Sequence, residues 1–435
     1  MSHYLQELIR GYKAGIPQGI FSVCSANGFV LESLLEFAQR SDQVALVEAT
    51  SNQVNQFGGY TGMKPKDFAQ FVWDLAAKVG FPLEKVILGG DHLGPNPWRG
   101  EPAAAAMAKA EVLVREYVQG GFTKIHLDAS MHLGDDGDPG RPLEPRIIAQ
   151  RTALLCQAAE RAYGELLQEN PKAVAPVYII GTEVPAPGGT QGDTGLSVTR
   201  PEDFHTTVQV TKEAFEKLGL AAAWERVVGV VVQPGVEFGD QAVHEYDREQ
   251  ARELTKELEK YPRLVFEGHS TDYQQPEALK QMVEDGVVIL KVGPELTFAL
   301  REALFLLEHM EQQIPALAGA ELSRLQATME EIMLAEPANW APYYQGSPAE
   351  LEFARKYSLS DRIRYYWPHP QAQAAVARLL TNLNSVDLPL PLLSQYLPRQ
   401  YAKVRAGALT KRAEDLIKDR IAEVYEKYLG ATKPA

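Results

Sequence analysis

The stretch VILGGDH (residues 86–92) is a short apolar run, two glycines, and then Asp91 and His92 where a strand should end. The chain repeats that arrangement. The other runs are GIFSVCSA (19–26), VALVEAT (44–50), KIHLDAS (124–130), VYIIGTE (177–183), VVGVVVQ (227–233), RLVFEGH (263–269) and VVILKVG (287–293). Between them lie segments with helical periodicity at 29–40, 65–80, 103–121, 145–167, 201–219, 246–261 and 276–286, and an eighth at 295–313 follows the last run. Strands alternating with helices imply a parallel sheet covered on both faces. Eight such units closed on themselves make a (β/α)8 barrel, an α/β fold. An open doubly wound sheet is the competing architecture, but no GxGxxG turn follows the first run.

In such a barrel the active site lies at the C-terminal ends of the strands. That rule turns strand-end residues into candidates. The connections after the second to fifth runs are long and rich in Gly, Pro and Asn, as in SNQVNQFGGYTGM (51–63) and VPAPGGTQGDTG (184–195). Their amides, Asn52 and Gln53 among them, suit sugar hydroxyls. After about residue 313 helical segments continue without strand runs. Residues 1–313 are therefore expected to form the barrel, and 314–435 a helical extension packed on it.

Size and charge narrow the partners. The chain has 435 residues, with 57 acidic against 43 basic side chains and a net charge of −14. That balance argues against nucleic acid or an anionic membrane as a partner. A small anion remains possible, since a few local basic groups hold a phosphate. Two cysteines, Cys24 and Cys156, cannot build a disulfide framework. The N-terminus lacks a signal-peptide apolar core, so a cytoplasmic location is expected, and a homo-oligomer with it.

The strand ends supply the chemistry. His92 could bind a divalent metal with Asp91 as a proton-transfer base. A capping Asp beside a half-buried His is the plain alternative. His269 ends the seventh run in FEGHSTD, where backbone N–H groups, Ser270 and Thr271 suit a phosphate. Glu183 could ligate the metal or simply accept backbone N–H groups in its Pro/Gly-rich loop. Gln233 offers a weak ligand oxygen or a hydrogen bond to substrate. Asp128 and Ser130 could orient a sugar hydroxyl. His126, two residues before Asp128, reads as a satisfied barrel histidine. Glu48 could pair structurally with a nearby cation. Lys291 could be an amine nucleophile or a salt-bridge partner, and the His-plus-carboxylate set fits a metal better. Arg362 and Arg364, in SDRIRYYW, suit phosphate binding or a docking motif.

With these strand ends in view the chain resembles the tagatose-bisphosphate aldolase subunit family of galactitol and N-acetylgalactosamine catabolism, the larger, so-called non-catalytic subunit. The carrying segments include FSVCSANG (21–28), VEATSNQVNQFGGYTGM (47–63), GGDHLGPNPW (89–98), HSTDYQ (269–274) and YSLSDRIRYYWPH (357–369). That family is similar to zinc-dependent class II aldolases, in which an Asp-His pair ends the third strand. Asp91 and His92 match it, and His269 matches a second zinc ligand in place. A further zinc His is replaced by Gln233. Members of the family are also known as ketose 4-epimerases. The resemblance thus implies a metal-dependent ketohexose (6-phosphate) 4-epimerase interconverting fructose and tagatose skeletons. His92, Glu183, Gln233 and His269 would hold the metal, zinc first and Mn, Ni, Co or Mg as alternatives. Asp91 would move the proton, assisted by Asp128 and Glu48. Asn27, Asn52, Gln53, Ser130, Ser270, Thr271, Lys291, Arg362 and Arg364 would bind substrate. The other implied reading is a non-catalytic subunit stabilising a class II aldolase, and below it a tagatose-bisphosphate lyase.

Overall fold

The structure, a computed structural model, describes residues 3–138, 141–182 and 196–433. Its centre is one closed barrel. The strands are β1 (Ile20–Cys24), β2 (Ala45–Thr50), β3 (Val86–Leu93), β4 (Lys124–Leu127), β5 (Val177–Ile180), β6 (Val227–Val232), β7 (Val265–Gly268) and β8 (Val287–Val292). Their order around the barrel is β1-β8-β7-β6-β5-β4-β3-β2, all parallel. Every expected strand run and all eight expected helices are present. The reason is that parallel strands are covered on both faces and so read as continuous Val/Ile-rich runs. Five of the helices following a strand start on a proline at Pro65, Pro145, Pro201, Pro276 and Pro294, where a missing N–H costs nothing.

The barrel interior is layered. At the N-terminal end of the strands it is apolar, and a helix not expected from the sequence, Tyr4–Lys13, plugs it. Its Leu5, Leu8 and Ile9 pack with Ile20, Leu46, Ile87, Val177 and Val288. Each such side chain contributes about 1.5–3 kcal/mol on burial. His3 caps this helix: its Nδ1 accepts from Leu5 N (3.1 Å) while Nε2 meets Thr123 Oγ1 (3.1 Å). Toward the C-terminal ends the interior becomes charged, as described below.

The C-terminal helices do not sit apart from the barrel. The helix after β8, Pro294–Gln313, lies outside the ring. The last helix, Ala413–Thr432, packs against Gly28–Ser41, Pro276–Glu284, Pro294–Gln313 and β1. It therefore occupies the slot between the helix after β7 and the helix after β1. Tyr425 and Tyr428 stack near Phe21 (6.0 and 5.8 Å between ring centres), and Tyr425 donates to Val30 O (2.8 Å). Gly19 N donates to Thr432 O (2.9 Å), tying the end of the chain to the start of β1. No described helix is long and apolar enough to cross a membrane.

Candidate metal and ligand site

The end of β3 builds the centre of the site. Adjacent strand residues normally face opposite ways. Here His92 adopts a left-handed backbone, φ 47°, and the β3–β4 register shifts between Gly90 and Leu93. That kink turns His92 to the same side as Asp91. It is held by close approaches only glycine allows. A Cβ on Gly94 would stand 1.7 Å from Asp128 O, and one on Gly89 would stand 2.6 Å from Glu48 Cγ.

Asp91, His92, His126 and His269 converge, each offering a donor atom, and these atoms lie within 4.8 Å of one another. All four are buried. The three imidazoles pack at 4.8–5.2 Å between ring centres. Each has one nitrogen held by a carboxylate. His92 Nδ1 meets Asp128 Oδ2 (2.8 Å), His126 Nδ1 meets Asp91 Oδ1 (3.0 Å), and His269 Nε2 meets Glu267 Oε1 (3.0 Å). An ionised carboxylate only accepts, so the proton of His92 and of His269 sits on the nitrogen facing it and the other nitrogen carries a lone pair. His126 Nδ1 lies between Asp91 Oδ1 and the His92 backbone N–H, which donates to it (3.1 Å). His126 Nε2 is buried with no partner at all. Carboxylate-oriented imidazoles with free lone pairs are the pattern of metal-ligating histidines.

Beneath this lies a buried ion network. Lys291 Nζ contacts Asp91 Oδ1 (2.8 Å) and Glu48 Oε2 (2.6 Å). Lys124 Nζ bridges Glu48 Oε1 (2.6 Å) and Glu267 Oε2 (2.7 Å). Ser22 Oγ also donates to Glu48 Oε1 (2.5 Å). The four carboxylates of Glu48, Asp91, Asp128 and Glu267 face two ammonium groups, those of Lys124 and Lys291. Counting carboxylates against ammonium groups alone, that leaves two negative charges in a buried site. Unbalanced buried charge is costly, and one divalent cation balances it. The residues present thus fit a metal ion.

The titrations follow from the same contacts. Burial works against charge on Asp91, but His92, Lys291 and His126 outweigh it and hold Asp91 well below the usual carboxylate range. Burial would likewise lower His92, yet Asp91 and Asp128 raise it above the ordinary imidazole value. Burial dominates at His269, which falls to about 4. Against burial, Asp91 and Glu48 push Lys291 well up. Lys291 is therefore a charged ion-pair partner and no amine nucleophile.

The remaining expected residues divide by position. Asn52, Gln53, Ser270, Lys291 and Arg364 line the cavity over the cluster, together with Tyr60, Asp272 and Tyr365. Asn27 does not line this cavity but lies beside it, where its Oδ1 caps Phe29 N (3.0 Å). Glu48 lies below the cavity and positions Lys291. Ser130 donates to Asp128 Oδ1 (2.7 Å) and backs that carboxylate. Three expectations are corrected. Gln233 Oε1 accepts from Gly235 N (2.8 Å) and Val236 N (2.9 Å), so its oxygen closes its own loop and ligates nothing. Thr271 Oγ1 donates to Lys291 O (2.7 Å) beside Tyr428 and serves the helix packing. Arg362 stacks on Tyr343 (3.2 Å to the ring centre) and is bound to Asn339 O, away from the cavity. Glu183 lies outside the described residues. His126, read from the sequence as a satisfied core histidine, belongs to the cluster instead. The i, i+2 spacing with Asp128 in HLD was the available signal, since both follow one strand to its end.

Comparison with known proteins follows the same line. Residues 5–433 match the family model described as D-tagatose-1,6-bisphosphate aldolase subunit GatZ/KbaZ-like. The D-tagatose-1,6-bisphosphate aldolase subunits GatZ of Salmonella newport (strain SL254) and Salmonella paratyphi B are each 48% identical over 431 residues, 99% of either chain. A crystal structure from Sinorhizobium meliloti 1021, described as a probable tagatose 6 phosphate kinase, superposes with a TM-score of 0.85 at 48% identity, covering 95% of this chain and 100% of that one. The expectation of a metal-dependent ketohexose (6-phosphate) 4-epimerase is overturned by the two Salmonella relatives and the family model, which are named as aldolase subunits. The chain belongs to the D-tagatose-1,6-bisphosphate aldolase subunit GatZ/KbaZ-like family.

Proposed function

We propose that this chain is the supporting subunit of a D-tagatose-1,6-bisphosphate aldolase, working with a separate class II aldolase chain. The observation that carries the reading is the family match over residues 5–433. The geometry supports it in a second way. The site keeps a barrel-mouth ligand cluster, yet Gln233 is committed to its own loop. The cluster is proposed to hold one divalent ion, zinc first, because imidazole nitrogens dominate the donor set. A bound ion would supply Lewis-acid polarisation of a sugar oxygen. Asp91 would then hold or move a proton beside it, Lys291 would fix the Asp91 carboxylate, and Asp128 would orient His92.

The test is co-expression with a class II aldolase chain. Co-purification, with a longer half-life and higher tagatose 1,6-bisphosphate cleavage by the aldolase, is expected. No association and no change in aldolase half-life would sink the reading, as would full cleavage by this chain alone. Metal content of the purified chain, with the thermal shift on adding a chelator, checks the ion separately.

A further inference from the structure

Helix Pro294–Gln313 carries two lines of side chains. Leu296, Ala299, Leu300, Ala303, Leu304 and Leu307 are buried in the main core. Phe298, Arg301, Phe305 and His309 follow one another at intervals of three and four residues, which aligns them along a second face. That second line floors an open cavity of ≈ 460 Å³, closed on its other side by Tyr357 of helix Pro348–Tyr357. Among the described residues, none that lines this outer cavity lines the one over the histidine cluster.

Arg301 sits at the floor of that cavity and is 3% exposed. Its guanidinium carbon stands 4.1 Å from the ring centre of Phe298, 5.4 Å from Phe305 and 5.6 Å from Tyr357. Ring faces attract the cation but leave the in-plane N–H donors without acceptors. Arg301 Nε is buried with no hydrogen-bond partner, and no described residue accepts from its terminal nitrogens. Its one ion-pair contact among the described residues is Asp361 Oδ1, 3.9 Å from Nε, and that oxygen is also buried without a hydrogen bond. Asp361 instead accepts from Thr297 Oγ1 through Oδ2 (2.6 Å). Burial outweighs Arg301 at Asp361 and raises that carboxyl to about 7, so the contact is only partly ionic. The neighbouring Arg420, by contrast, is paired with Glu302 and Glu423.

A buried guanidinium with unmatched donors is complementary to an anion, and its planar fork fits a carboxylate through two parallel hydrogen bonds. The rest of the cavity selects the body of the ligand. Phe298, Phe305, Leu306 and Tyr357 make its walls apolar. Tyr357 is 42% exposed and packs against Phe353, 47% exposed, at 5.3 Å between ring centres, so aromatic surface is left uncovered at the rim. The volume falls in the range of small-molecule sites, about 300–1,000 Å³. We propose that this outer cavity binds a small aromatic carboxylate, its carboxylate on Arg301 and its ring against Tyr357 and Leu306. The proposal goes beyond the supporting-subunit reading and stands or falls without it.

Isothermal titration of the full chain with benzoate, benzyl alcohol and inorganic phosphate tests it. Benzoate is expected to saturate one site and to bind at least ~10-fold more tightly than benzyl alcohol, which keeps the ring without the charge. Inorganic phosphate, which has the charge without the ring, is expected to be at least ~10-fold weaker than benzoate. Arg301→Lys keeps the charge and removes the fork, and is expected to weaken benzoate at least ~10-fold. Tyr357→Ala removes a half-exposed wall and is expected to weaken it about 3–10-fold. Arg364→Gln, at the barrel mouth, is expected to leave benzoate binding unchanged. If Arg301→Lys fails to fold by circular dichroism, Tyr357→Ala decides alone. No saturable benzoate binding to the wild-type chain overturns the proposal, as does binding unchanged in the folded variants. Loss of binding in Arg364→Gln, or phosphate binding as tight as benzoate, overturns it as well.

Discussion

His126 and Lys124 belong to one short strand, KIHL, and do opposite work. Lys124 spends its charge on two carboxylates, while His126 keeps a nitrogen free. Replacing Lys124 with Met strips buried Glu267 of its close ammonium partner and leaves Glu48 with Lys291 alone. The expected loss is about 3–5 kcal/mol of stability, read from the urea midpoint. An unchanged midpoint would mean that the ion network is not a structural support. His126→Gln keeps size and polarity but removes the unpartnered ring nitrogen. Bound metal per chain is expected to fall at least ~10-fold, with little change in melting temperature of the metal-free protein. Equal metal content in both proteins would remove His126 from the ligand set. The sequence showed Asp91, His92 and His269 through their place at strand ends. It could not show which imidazole nitrogen lacks a partner, because that depends on Asp91 reaching across from β3. Nor could it show that Gln233 folds back onto Gly235 and Val236.

At the scale of elements, the eight strands were legible because burial on both faces leaves unbroken apolar runs. The Tyr4–Lys13 plug was not recognised, although Leu5, Leu8 and Ile9 carry the i, i+3, i+4 spacing of one helical face. Ten residues of periodicity do not say what they cover. The plug has a pH dependence. Burial, with Lys124 adding, lowers His3 from 6.5 to about 4. The unfolded chain therefore takes up a proton before the folded one does. The contribution is fully present above about pH 6.5 and is lost as pH falls toward about 4. Urea unfolding across that window should show stability falling with acidification, and His3→Asn should reduce the slope. An identical slope in the variant would show that other groups set it.

Across the whole molecule, the boundary near residue 313 divides the chain by sequence character, while packing crosses it. Residues 413–432 fill a slot in the ring around the strands. Ending the chain before 413 strips Phe21 and Phe37 of Tyr425 and Tyr428. We expect such a truncation to be insoluble or to lose its cooperative melt, whereas removing the residues after 432 should be silent. A soluble, cooperatively melting 1–412 fragment would show that the ring closes without its last helix. The consequence reaches back to synthesis. A chain emerging from the ribosome has all eight strands exposed long before the stave that seals β1 appears. Addition of residues 413–432, and not of the eighth strand, is the event that completes the ring of helices around the barrel. A chain that stops before residue 413 is therefore expected to emerge with all its strands but with the apolar face of β1 and of helix Gly28–Ser41 uncovered.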